Sequence, residues 1–549
     1  MKRILLFVVA GAWLLPAAAQ EPVLRQPVPG VHAITGVTLV TAPGETIANG
    51  VIVVRDGIIE AVGADVAVPP DARVHEYDPE ESDMHVYPGL IDAYVPVAFD
   101  ANAKGDDEEG DGGSGERLEP GRYPHPLITP ERRLSSALWP LERVESLRRA
   151  GFTTAVLAPE AGLARGAGAL VNLGQGGLAE NLIDPERSQH FSLQARSSGR
   201  GFPSSLMGAV ALLRQVLADA QWQVAARAAW QRNPAQARPP FLEGIAALEP
   251  VLTGNMPAVF ETDGMLDSLR VASVAGEYDL RPWMVGHGRE YQRLDSLAAT
   301  GLGQILPLDF PDAPDVDKHE RDTSLAELRH WQRAPENPAR VMAAGLPVVF
   351  TTHPHSSPDA VFANLSKAIE RGLDSDRALA ALTTEPARML GIDDRAGRLA
   401  AGYMANFILV DGELLVESPA LQEVWVDGRR NVLLALDPPE IEPAGSWDIT
   451  LATEGMGNID AALELKGKAT NLSGSFEIMG TSMPLAEARV SGSRLNVRID
   501  GSRLGMSGSL TFFLDIEGER GSGSGSSPQG SFDVRARRSS GPDEVEEAV

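Results

Sequence analysis

The pattern of apolar and polar positions changes rhythm along the chain, and each change predicts a different element. From Ala33 to Gly63, short β-branched segments are broken by "APGE", "ANG" and "RDG", the pattern of successive hairpins. Such a unit is too small to close a core alone and should recruit a partner segment. "ANFILVDG" and "VWVDGR", within Gly397 to Arg430, are strand-turn pieces of the same kind and supply one. Next comes "VYPGLIDAYVPVAF", Val86 to Phe99, whose apolar, β-branched start reads as a buried strand, with Pro88 and Gly89 marking a sharp turn into it.

From about residue 90 to 390, short apolar runs alternate with helical patterns. Strand-like runs are "TTAVLAP" (Thr153–Pro159), "PAVFETD" (Pro257–Asp263), "PWMVG" (Pro282–Gly286), "GQILPLD" (Gly303–Asp309) and "LPVVFTT" (Leu346–Thr352). Helical runs include Ser205–Arg232, Gly264–Glu277 and Arg289–Ala299. This rhythm predicts a β/α barrel, with a doubly wound open sheet as its structural rival. A β-unit divided between both ends of the region favours the barrel. Ala360 to Gly412 then reads as two amphipathic helices with a turn at Gly372, a stop at Gly391 and a return to the β-unit.

Beyond a Pro-rich linker (432–445), polar and apolar residues alternate between Gly/Ser turns. Residues 446–538 are therefore expected to form a separate antiparallel sheet or sandwich of six or seven strands, in a structural or accessory role. Within it, "ERGSGSGSSPQG" (Glu519–Gly530) reads as a flexible hairpin loop, and 539–549 as a disordered acidic tail.

Composition narrows the function. The 549 residues, 43% hydrophobic, are enough for two to four structural units. A basic start at Lys2 and Arg3, an apolar run from Ile4 to Leu15 and small residues to Ala19 match a signal peptide over 1–19, which predicts an exported, periplasmic protein without stable membrane insertion. Cysteine is absent, which removes disulfides, thiolate zinc sites and cysteine nucleophiles. A net charge of −27 argues against nucleic acid or anionic lipid as partner. Part of that charge lies in a flexible acidic insertion at 103–117, whose spacing is not that of a calcium loop.

Two strings carry a family resemblance. "PGLIDAYVP" resembles the "PGLIDAHxH" first strand of the amidohydrolase superfamily, with Tyr94 and Pro96 in the places of the two metal-ligand histidines. Ala360–Gly412 resembles the superfamily's final helices and its "NPAxxLGxxxxxGxxxxGxxADLxxxDG" signature, with Glu385 for the asparagine and Asn406 for the aspartate. The chain most resembles the imidazolonepropionase-like branch, and Gly201–Trp222 is similar to an exported subgroup of it. The resemblance implies a (β/α)8 TIM-like barrel over 87–396, a small β-sandwich built from both flanks (30–86 and 397–431), and the C-terminal all-β domain. It also implies hydrolysis of carbon–nitrogen bonds other than peptide bonds, in small or cyclic amides, by water on one divalent metal, zinc first among them.

The residues at the chemistry-bearing places are altered. Of ten histidines, His32, His75 and His85 fall in the β-unit or before the first barrel strand, while His319 and His330 are in solvated contexts. His287 ends a strand in "WMVGHGREY". His353 and His355 follow the last barrel strand, and the resemblance puts His353 where an aspartate would act as general base. Glu261 stands for the histidine of the fifth strand, with Asp263 nearby, and His190 lies where the fourth strand has no evident ligand. Tyr94, beside Asp92, reads as filling the space left by a histidine and a metal. The candidate set is His353 and Glu261 as catalytic groups, with His287, His353, His355 and Glu261 as a rearranged metal site, since a His/His/Glu trio leaves zinc an open position. The competing reading is a metal-free pseudo-enzyme that binds a small ligand, a paralogous barrel protein or a second copy of itself. "GAGALVNLGQGGLAE", Gly166–Glu180, lacks the lysine of a phosphate loop and reads as a close-packed loop on the active face, and no G-x-S-x-G elbow supports a serine hydrolase.

Overall fold

A computed structural model describes residues 30–79, 82–97, 122–134, 139–194, 201–311, 324–354, 360–416, 419–433, 441–453, 457–469, 471–478, 480–500, 509–527 and 530–541. The signal-peptide pattern, the acidic insertion, His319, His355, half of the Pro-rich linker and the last eight residues lie outside the described residues.

The chain opens with β1 (Val31–Ala42), β2 (Glu45–Arg55), β3 (Ile58–Gly63), β4 (Arg73–Glu76) and β5 (Met84–Pro88). β1 pairs antiparallel with β2 along one edge, and parallel with β4 and then β5 along the other. Its register breaks after Thr35, where Gly36 (φ 75°) is required because a Cβ would lie 1.9 Å from the Tyr77 carbonyl oxygen. The other half of the sheet comes from the far flank: β14 (Phe407–Asp411), β15 (Ala420–Val426) and β16 (Arg429–Val432). β14 lies antiparallel to β5, with Leu409 opposite Val86. Ile34, Leu39, Val86, Phe407 and Trp425 pack into one cluster, so the apolar face of each flank is covered by the other. The strands form one hydrogen-bonded sheet that folds over on itself, so that Trp425 on β15 meets His32 on β1 with ring centres 5.1 Å apart.

Between these flanks lies an eight-stranded sheet in chain order: β6 (Leu90–Val97), β7 (Phe152–Pro159), β8 (Ala164–Asn172), β9 (Leu182–Ser192), β10 (Ala258–Glu261), β11 (Trp283–Val285), β12 (Gln304–Pro307) and β13 (Val348–Thr351). β13 comes back to β6, where Thr351 Oγ1 donates to the Tyr94 carbonyl at 2.6 Å. The result is a TIM-barrel-like α/β fold. Helices α1 (Leu141–Arg149), α2 (Leu206–Arg232), α3 (Met265–Glu277), α4 (Ala360–Glu370), α5 (Ser375–Leu382) and α6 (Thr384–Met389) accompany it. Caps start two of them: Ser205 accepts from the Gly208 amide, and Asp374 from the Arg377 amide at 2.9 Å.

One strand departs from the expected parallel barrel. β8 runs antiparallel to both neighbours, and the first part of the stretch read as a close-packed loop, residues 166–172, lies in this fully buried strand. Its small residues allow close approach: a Cβ on Gly168 would sit 2.5 Å from His190 Nε2.

The C-terminal region is a closed eight-stranded barrel, with β17 (Gly445–Thr453) pairing both β18 (Gly457–Lys468) and the last strand, β24 (Gly530–Ser540). Between them run β19 (Asn471–Ile478), β20 (Thr481–Ser491), β21 (Arg494–Asp500), β22 (Ser509–Glu517) and β23 (Arg520–Ser527). The region is all-β and antiparallel as expected, and the expected six or seven strands are corrected to eight, closed into a barrel. β23 is the Gly/Ser run read as a loop. It pairs on both edges, and a Cβ on Gly525 would lie 2.4 Å from the Phe532 ring, so glycine makes room for a core aromatic. Among the described residues no helix is long and apolar enough to cross a membrane.

Candidate active site

The polar groups gather where β6, β10 and β13 end. Tyr94 packs in the barrel interior with Val259, Val285, Ile305 and Val349, one residue from each successive strand, and is 1% exposed. A buried phenol needs a hydrogen-bond partner. Tyr94 finds one in Glu261, donating from its hydroxyl to Oε2 at 2.6 Å. Arg165, the second residue of the antiparallel strand, donates from Nη1 to the same Oε2 at 2.6 Å and to the Tyr94 oxygen at 3.3 Å. Its Nε donates to the Gly162 carbonyl.

This geometry sets the charge states. Burial alone would push Glu261 up, but the Arg165 guanidinium and the hydrogen bonds from Arg165 and Tyr94 outweigh it and hold the carboxylate below its ordinary value. Burial and the neighbouring Glu261 charge keep Tyr94 protonated. Glu261 Oε1 has no partner among the described residues, and the side chain is 32% exposed, so the ionised group is open to a ligand.

Behind this pair, Asp92 is completely buried. Its Oδ2 accepts from the Thr352 hydroxyl at 2.6 Å and amide at 3.0 Å, and its Oδ1 from the Tyr94 amide at 3.0 Å. Burial raises its pKa despite those bonds. Asp92 thus ties the first barrel strand to the last and fixes the backbone that carries Tyr94 and His353. Arg143 donates to the Thr352 hydroxyl at 2.8 Å from the start of α1. The His353 amide donates to Thr351 Oγ1 at 3.1 Å, and its ring meets Tyr94 edge-on at 5.5 Å. Burial lowers the His353 pKa, against the opposing charges of Glu261 and Asp92, so the imidazole is neutral at pH 7. His190 lies 5.8 Å from Tyr94 between ring centres and is pushed down to about 3 by burial and by Arg165.

The structure brings Glu261 and His353 into one neighbourhood with Tyr94, and sets His287 in another. The His287 amide donates to Glu290 Oε1 at 2.8 Å, and its Nε2 is buried without a partner, 3.8 Å from the same carboxylate. Glu290 is in turn held by Asn337 at 2.6 Å. Among the described residues no three His, Asp or Glu side chains are placed to hold a metal ion. The donor set at Glu261 does not fit one either. An ion bonded to Glu261 and to residue 94 must lie about 2 Å from each donor, but these two oxygens are hydrogen-bonded to each other at 2.6 Å and Arg165 Nη1 lies against both. Pro96 offers no ligand atom at all.

Arg165 is the functional group that the sequence reading missed. The signal was present: a single arginine in the small, apolar run "LARGAGALVN" has to be paired if that run is buried.

Residues 335–436 match the Amidohydrolase family model, a stretch that includes His353 and the returning strand β14 but not Tyr94, Arg165 or Glu261. An amidohydrolase, tasK of Hapsidospora irregularis, is 33% identical over 82 residues, 15% of this chain and 8% of that protein. An imidazolonepropionase of Cupriavidus pinatubonensis (strain JMP 134 / LMG 1197) is 36% identical over 158 residues, 28% of this chain and 32% of that protein. The aligned stretches thus span less than a third of these curated relatives. Among solved structures, an amidohydrolase from Thermotoga maritima MSB8 is similar with a TM-score of 0.58 and 18% identity, covering 72% of this chain and 98% of that one. That likeness shows the fold. Together the matches support kinship with the amidohydrolase superfamily, at low identity.

Proposed function

We propose that the chain is an exported, amidohydrolase-type hydrolase of carbon–nitrogen bonds other than peptide bonds, acting on small or cyclic amides without a metal at Glu261. The observation that carries this reading is the pairing of an ionised, partly exposed Glu261 with a neutral His353 at the strand ends. Two titratable groups held in different states by their surroundings are what general acid–base chemistry needs. In this reading Glu261 Oε1 orients a water, and His353 takes a proton from it as the water adds to the amide carbon. The imidazolium then returns that proton to the leaving nitrogen. Arg165 and Tyr94 stay in the wall and fix Glu261. Kinship with an imidazolonepropionase over 158 residues supports a cyclic amide as the first substrate class to try.

The experiment is a screen of N-formyl and N-acyl amino acids, hydantoins and lactams with the purified protein, read by release of amine or carboxylate. Turnover that His353→Asn lowers at least about 100-fold supports the assignment. Turnover unaffected by both His353→Asn and Glu261→Gln overturns it.

A second reading has its own support. Arg165 neutralises Glu261, and a fixed ion pair in a barrel mouth suits binding without turnover. Under it the chain is a pseudo-enzyme that holds a small ligand or a paralogous barrel, and calorimetry with the same compounds shows binding while no product forms.

A further inference from the structure

We infer that Arg165 is the resident cation of this site, a guanidinium built into β8 that pairs with Glu261 and Tyr94 where the fold's relatives would be expected to converge on a divalent ion. The inference concerns the site just described but does not depend on whether amides are turned over there.

Three observations carry it. The first is position: Nη1 lies 2.6 Å from Glu261 Oε2 and 3.3 Å from the Tyr94 oxygen, and these two residues stand at the fifth-strand and first-strand places that the family resemblance assigns to ligands. The second is burial. Arg165 is 5% exposed and comes from a strand that is buried throughout, so its charge is a part of the core that must be compensated. The third is construction. β8 runs antiparallel to its neighbours, and glycines at 166 and 168 bring its backbone close to Arg132 and His190. A Cβ at Gly166 would lie 2.6 Å from the Arg132 carbonyl oxygen, and one at Gly168 would lie 2.5 Å from His190 Nε2. A side chain as long as arginine reaches Glu261 from this strand because the strand is pressed against its surroundings. A dication added at Glu261 would face the guanidinium at contact distance, and like charges at that range repel strongly.

The test uses the full mature chain, purified without a tag. Elemental analysis and calorimetric titration with zinc and manganese are expected to show well under one equivalent bound, and a chelator is expected to leave the thermal midpoint unchanged. One tightly held divalent ion per chain, removed by chelator with loss of several degrees, overturns the inference. Arg165→Met is expected to lower the midpoint by about 5–10 °C, because Glu261 loses its counter-charge. Adding Glu261→Gln is expected to restore at least half of that loss, and Arg165→Lys to retain part of it. No restoration in the double variant means that Arg165 acts through packing alone and overturns the pairing. If Arg165→Met does not fold, the wild-type metal titration still decides. A protein inert toward amides counts against the hydrolase reading above, whereas neither metal content nor the double-variant cycle depends on turnover.

Discussion

The barrel mouth and the composite sheet use the same set of side chains for different ends. At the mouth, Glu261 accepts from Tyr94 and Arg165, with His190 nearby and pushed down to about 3. In the sheet, Glu423 on β15 accepts from Tyr77 at 2.6 Å and from Arg430 on β16, with His75 nearby and pushed down to about 4 by burial and the Arg430 charge. The difference lies in what is left over. Both oxygens of Glu423 are taken, since Trp425 Nε1 and Arg430 Nε donate to Oε2 while Tyr77 and Arg430 Nη2 donate to Oε1, and the side chain is 4% exposed. Glu261 has spent one oxygen and is 32% exposed. A saturated carboxylate is a staple, here joining residues 346 positions apart, whereas a half-saturated one is a site.

The sharpest way to break this comparison is to remove the staple. Glu423→Ala is expected to cost about 3–5 kcal/mol in denaturant unfolding, because it leaves Arg430 and two donors without their acceptor and unfastens the two flanks. A cost below about 1 kcal/mol would show that the sheet is held by its apolar contacts alone. At the mouth the balance is reversed. His353→Asn is expected to change stability by less than about 1 kcal/mol while lowering any amide turnover at least about 100-fold, or about 2.7 kcal/mol of barrier. Equal losses of stability from the two substitutions would erase the distinction between staple and site.

The fold was legible wherever burial leaves a period in the sequence. The strands at Thr153–Pro159 and Leu346–Thr352 could be read because their faces are continuously apolar, and the returning strands after Ala405 because the first β-unit lacks a partner without them. What escaped was structure made by closure. β23 has no apolar period, since glycines alternate along it and one of them, Gly525, is matched to Phe532 and Phe512 on the adjacent strands, and only pairing on both edges makes it a strand. Likewise β8 is written mostly in small residues, so its direction and its one arginine became meaningful only when Tyr94 and Glu261 arrived from strands 71 and 96 residues away. Glu261 and His353 were legible as candidates from the apolar runs that they end. Their states were not, because those depend on partners remote in sequence.

Two smaller effects sharpen the comparison. Removing the hydroxyl that donates to each carboxylate is expected to cost about 1.5–3 kcal/mol at the staple (Tyr77→Phe) and less at the mouth (Tyr94→Phe), where water can reach Glu261 in its place. Chemical denaturation of both variants in one buffer measures the difference directly, and a larger cost at Tyr94 would mean that the mouth is the more closed of the two clusters.

The smallest effect is in pH. An unfolded histidine takes up its proton near 6.5, but His75 in the folded chain does so only near 4 and His190 only near 3. Between those values the unfolded chain binds more protons, so stability is fullest above about pH 6.5 and declines as pH falls below it. Glu261 and Glu423, both held below their ordinary value of 4.5, add their loss only beneath that pH. In the window from 6.5 to 4.5 the histidines lose stability on acidification, while Asp92, whose buried carboxyl is held above its ordinary value, acts in the opposite sense. There the thermal midpoint of the wild type is expected to fall with acidification, and His75→Gln and His190→Gln are each expected to flatten that slope. His190→Gln should do so more strongly, since His190 is buried at 1% exposure whereas His75 is only partly covered. A slope unchanged by either substitution would mean that both imidazoles can be protonated where they stand, and that burial, with the arginine beside each, does not govern their charge.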